Sequence, residues 1–155
     1  MTELTNTWRK TLHRFLASTD SENPLPIPLL MPEYRPDICR AVAHEIRACF
    51  FDFRAEVMKG HGMLAHEIHL DELAQELAKR ASAGAVIAFN IESLLAAKDE
   101  NERQLWLRHI CNTTFDHLLV LPLAIFQDDV SDLETCLDLR EHLFEAQTLI
   151  SRLAM

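Results

Sequence analysis

Residues 70–97 read LDELAQELAKRASAGAVIAFNIESLLAA, and the way this stretch is taken decides the fold. Its first half sets Leu70, Leu73, Leu77 and Ala81 at helical spacing. Its second half is apolar on almost every side, with Ala81, Gly84, Ala85 and Ala88 at three- and four-residue steps. A helix that is apolar all round is a buried one, and small side chains let neighbouring backbones approach. The stretch therefore reads as one central helix with the other helices packed about it. The fold class that follows is all-α: an up-and-down bundle of four main helices, with a short N-terminal helix and a proline-rich extended arm.

Working outward, residues 23–36 (NPLPIPLLMPEYRP) hold five of the six prolines. Each proline fixes φ, removes a donor and pushes the residue before it into extended backbone, so this segment reads as an arm. Pro36 suits the first position of a helix and Asp37 its first turn. That helix is expected over 36–58, with Ile38, Val42, Ile46, Cys49, Phe50, Phe53 and Val57 as its stripe, and Gly60 and Gly62 stopping it. Downstream, Leu107, Ile110, Cys111, Thr114, Leu118 and Leu121 form the inner face of a further helix that Pro122 ends. Ser131 and Glu134 have the spacing of a capping box. The last helix then buries Leu133, Cys136, Leu137, Leu143, Phe144 and Ile150. The division is a short helix in 1–22, the arm in 23–36 and the bundle in 37–155, all one domain.

The net charge of −9 argues against nonspecific nucleic-acid binding, which needs clustered Lys and Arg. The longest apolar run, residues 118–126, is interrupted by Pro122 and is far too short for a membrane span. Four cysteines (Cys39, Cys49, Cys111 and Cys136) show no zinc-like spacing and read as reduced core thiols in a cytoplasmic protein. With three glycines there is no glycine-rich phosphate loop, and no GxSxG occurs. Arg54–His61 and Arg103–His109 have the Arg-to-His spacing of helical RNases of the HEPN type, but pairs like these arise by chance in a chain with this many arginines and histidines.

Two functional expectations remain. Arg40, Arg47 and Arg54 recur every seven residues opposite the apolar stripe, with His44 and Phe51 beside them. A basic row carrying an aromatic residue on an acidic chain is a docking face, for a protein partner or a second copy in a homodimer. The expected function is a non-enzymatic interaction protein: an assembly factor, chaperone or regulatory subunit. The alternative is a metal-binding bundle, possibly redox-active, that holds Fe, Mn or Zn through Glu45, Glu56, His69 and Glu72. The motif around His69 is HEIH, however, not the HExxH that puts two ligands on one helical face.

Overall fold

A computed structural model describes residues 2–19 and 24–143. In chain order the elements are α1 (Thr2–Ala17), β1 (Ile27–Leu30), α2 (Pro36–Glu45), β2 (Cys49–Asp52), a π-helix (Arg54–Met58), a single turn α3 (Lys59–His61) and a 3-10 helix (Gly62–Glu67). There follow α4 (Leu70–Ala83), β3 (Val86–Phe89), a single turn α5 (Glu92–Leu95), α6 (Glu100–Cys111), β4 (Leu119–Leu123), a 3-10 turn (Gln127–Asp129) and β5 (Leu137–Asp138). The strands form one five-stranded sheet in the order β2-β3-β4-β1-β5, and every pairing is parallel. The fold is α/β, which overturns the all-α bundle.

The decisive stretch holds a helix, a strand and a helical turn instead of one helix. Leu70, Leu73, Leu77 and Ala81 are the buried stripe of α4, as their spacing requires. Beyond Gly84, however, Val86–Phe89 is a central strand with all four residues buried. Strands of a parallel sheet are covered on both faces, so they read as unbroken apolar runs. A run that short cannot be told from a buried helical segment by periodicity. The same substitution of strand for helix recurs twice. Within the expected 36–58 helix, α2 ends at Glu45, Arg47 takes φ 56°, and β2 follows. Leu118 and Leu121, expected on a helix face, lie immediately before β4 and within it.

The arm is also corrected, because Ile27–Leu30 is a fully buried strand between β4 and β5. Alternation explains how it tolerates Pro28. Met31 donates its N–H to the Leu123 carbonyl (3.0 Å), while the Leu30 carbonyl accepts from Leu139 N–H (3.0 Å). Odd positions of β1 thus face β4 and even ones face β5. Pro28 falls on the β5 side, where pairing reaches only Leu29 and Leu30. Pro122 lies in β4 by the same logic: Leu118 accepts from Val86 N–H, so the even positions of β4 face β3, and the β3–β4 register stops at Ile87 and Val120. Both prolines stand where no rung is lost.

Side-chain alternation divides the core in two. Leu29, Phe50, Ile87, Phe89 and Val120 pack with α1 and α2 on one face. Leu30, Phe51, Ala88, Leu121 and Leu123 pack with α4, α5 and α6 on the other. Ser131 and Glu134 lie in turns before β5, so they do not cap a helix, and the chain becomes helical only from residue 140. Phe144 and Ile150 lie outside the described residues. Among the described residues no helix is long and apolar enough to cross a membrane.

Candidate functional site

In open parallel sheets, ligands and partners meet the carboxyl ends of the strands, where loops leave for opposite faces. Here β1 leads into α2 on one face, while the chain after its neighbour β4 packs Phe126 and buries Val130 on the other. The exit of β1 is built against phosphate binding. Its residues are MPEYRP, with Pro32 and Pro36 offering no N–H, where a phosphate-binding strand–loop–helix unit has glycines and GK[ST]. The start of α2 already faces its own Asp37, which takes two hydrogen bonds from Arg35 (2.9 and 2.8 Å). That guanidinium holds the Asp37 carboxyl below its ordinary range.

The exit of β4 is likewise occupied. The backbone N–H groups of Ala124, Ile125 and Phe126 converge as an anion-binding nest would. Glu92, in the first turn of α5, fills it: its carboxylate accepts all three, at 2.8, 2.7 and 2.7 Å. This contact ties the loop after β3 to the loop after β4.

The open space lies over β2 and β3. A cleft of about 560 Å³ is lined by Tyr34, Asp52, Arg54, Ala55, Met58, Lys59, Gly62, Ala65 and Asn90. Asn90 ends β3 at φ 66°, a left-handed conformation that asparagine tolerates better than most residues. Its Nδ2 donates to Asp52 Oδ1 at 3.0 Å, and the same oxygen accepts the Ala55 N–H at 3.1 Å. The Asp52 N–H in turn donates to Glu56 (3.0 Å), so the start of the π-helix is fixed by side chains on both sides. Tyr34 leans onto Phe89 (5.1 Å between ring centres), Phe89 onto Phe50 (5.2 Å), and Arg40 caps the row over Phe50 (5.0 Å).

The expected docking row does not share a face. Arg40 and His44 are exposed on α2, Arg47 is in the turn that ends α2, and Arg54 is beyond β2 at the cleft. Phe51 is fully buried beneath Arg80 (4.2 Å) on the far face of the sheet. The aromatic beside Arg40 is Phe50 instead, because successive residues of a strand point to opposite faces. The heptad spacing of the arginines lost its meaning once β2 divided the segment.

The metal candidates are dispersed as well. Glu45, on α2, pairs with His13 (3.3 Å) and Arg9 (3.8 Å) of α1. Glu56 is held by Asp52 and lies 3.5 Å from Arg80, while His69 precedes α4 and Glu72 lines a separate groove. Among the described residues no cluster of three His, Cys, Asp or Glu side chains could hold a metal ion. Arg103, one of the RNase-like pair, is committed to Asp129 (2.7 Å) and stacks on Phe126 (4.0 Å). Burial pushes the Cys39 and Cys111 thiols up to about 12, so neither is a nucleophile near neutrality.

Sequence reading missed Tyr34, Lys59, Asn90 and Glu92, and weighed Asp52 only as one of a row of carboxylates with Glu45 and Glu56. The available signal was polar residues directly after apolar runs, FFD and VIAFN, which mark strand exits once the runs are taken as strands. Compared with protein-family models, curated proteins and solved structures, the chain gives no match.

Proposed function

We propose that this is a non-enzymatic interaction protein that docks a partner protein on the carboxyl edge of its sheet. The observation that carries the reading is where the exposed apolar side chains stand. Among the described residues five large hydrophobic side chains are exposed: Tyr34 (58%), Met63 (91%), Leu64 (60%), Leu105 (64%) and Ile125 (66%). Four of them follow the exits of β1, β2 and β4, and only Leu105 lies elsewhere, on α6. Scattered surface hydrophobics need no explanation, but a concentration at one edge marks a contact surface.

Charge selects the occupant. The chain carries −9, which disfavours a second copy, yet this edge presents Arg54 and Lys59, neither of which makes a side-chain ion pair among the described residues. The fitting partner is an apolar segment bearing carboxylates. A cytoplasmic setting belongs to the same reading and is supported by four free cysteines.

The test compares affinity capture by the unaltered chain, the double variant Met63→Glu/Leu64→Glu, and Leu105→Glu. A protein retained by the first and third but lost from the second supports the docking edge. Retention unaffected by the double variant contradicts it, as does a concentration-dependent homodimer that survives the double variant.

A further inference from the structure

The segment after β2 is a π-helix, Arg54–Met58, and its geometry has a chemical consequence. In an α-helix, residues five apart point about 140° away from each other. In the π-helix the N–H of Lys59 donates to the carbonyl of Arg54, closing one wide turn that sets the two residues on the same side. Both line the cleft, together with Asn90 and Tyr34. Neither cation has a side-chain partner among the described residues. The one carboxylate in the lining, Asp52, has an oxygen already engaged by the Ala55 N–H and Asn90.

We infer that the cleft is a binding site for a compact, doubly charged oxyanion, a phosphoryl group or a pair of carboxylates, gripped between Arg54 and Lys59. Arg54 supplies a planar fork of donors and Lys59 a point charge, the usual pairing for such groups. Asn90 and Tyr34, in the same lining, offer an amide oxygen and a hydroxyl to the uncharged part of the ligand. π-Turns concentrate at functional sites because their irregular geometry is retained for what it positions. Here it positions two positive charges on a negative protein. This site shares Tyr34, Arg54 and Lys59 with the docking edge but needs neither Met63 nor Leu64, so the two readings fail separately.

The experiment is an NMR titration of the 15N-labelled full chain at constant ionic strength, with inorganic phosphate in one arm and citrate in the other. Saturable shifts are expected at amides 52–62 and Asn90. Saturation by phosphate alone assigns a phosphoryl ligand, by citrate alone a carboxylate one, and by both the shared charge pattern. The double variant Arg54→Gln/Lys59→Gln should weaken binding at least tenfold. The charge-matched control Lys10→Gln/Arg14→Gln, on α1, should leave it unchanged. Absence of saturation in the unaltered chain overturns the inference, as does equal weakening in the control. If the double variant fails to fold, the location of the shifts in the unaltered chain decides alone. Met63→Ser/Leu64→Ser, which removes the apolar contacts without adding charge beside the cleft, should keep the shifts, so the loss of docking and the loss of anion binding are told apart.

Discussion

Asn90 reaches across the carboxyl edge of the sheet and donates to Asp52 at 3.0 Å, joining the ends of β3 and β2. The bond holds the floor of the cleft and fixes the first turn of the π-helix through the second donor on Asp52, the Ala55 N–H. Asn90 pays for its place with φ 66°. Substitution by Ala should remove the bond and strain the backbone, costing about 2 kcal/mol. Gly should lose only the bond, at about 1 kcal/mol, since it adopts the left-handed region without penalty. Urea unfolding of the two variants gives the order, and an Ala variant no less stable than the Gly one would contradict the geometry.

Glu92 is the second tie across this edge. Its carboxylate takes three backbone donors of residues 124–126, which would otherwise be left to water at the exit of β4. Charge-assisted bonds of this kind are the stronger class. Glu92→Ala should cost about 2–3 kcal/mol and raise amide exchange at Ala124, Ile125 and Phe126. Unchanged exchange at those three amides would show that the contact does not order the loop.

Some of this was legible in the residues and some was not, for reasons of period. The stripe Leu70, Leu73, Leu77, Ala81 repeats often enough to define α4, and Asp99 caps α6 by accepting from Glu102 N–H, as an acidic start to that helix suggests. The strands are four or five residues long, or two in β5, and covered on both faces, so β3 and β4 show neither alternation nor a helical stripe. Gly84 was the available break between helix and strand. The site followed the fold. Phe51 and Phe50 exchange faces when β2 is taken as a strand, and Asp52 and Asn90 become neighbours only when β2 and β3 are paired. The pairing of Arg54 with Lys59 rests on a π-turn, which has no signature in residue type.

The buried thiols set the alkaline limit of stability. Cys39 and Cys111 are pushed from 9.0 up to about 12, by burial in both cases. Between those values the folded chain holds two protons that the unfolded chain has released. Stability is therefore full below pH 9 and is lost as pH rises toward 12. The slope should approach 1.4 kcal/mol per pH unit for each thiol, roughly. Urea midpoints from pH 8 to 11 (about one unit below to two above the ordinary thiol value) should fall steeply, and less so in Cys39→Ala/Cys111→Ala. A midpoint independent of pH would contradict the burial. Alkylation near neutrality should reach the exposed Cys49 first.

The most direct measurement of the docking edge is site-specific photo-cross-linking in the native cell. A photoreactive phenylalanine analogue would replace Met63, beside the cleft, and in a separate chain Leu105, on α6. The account expects a discrete adduct with one other protein from position 63 and none from position 105. No adduct from position 63, or the same adduct from both positions, would contradict it.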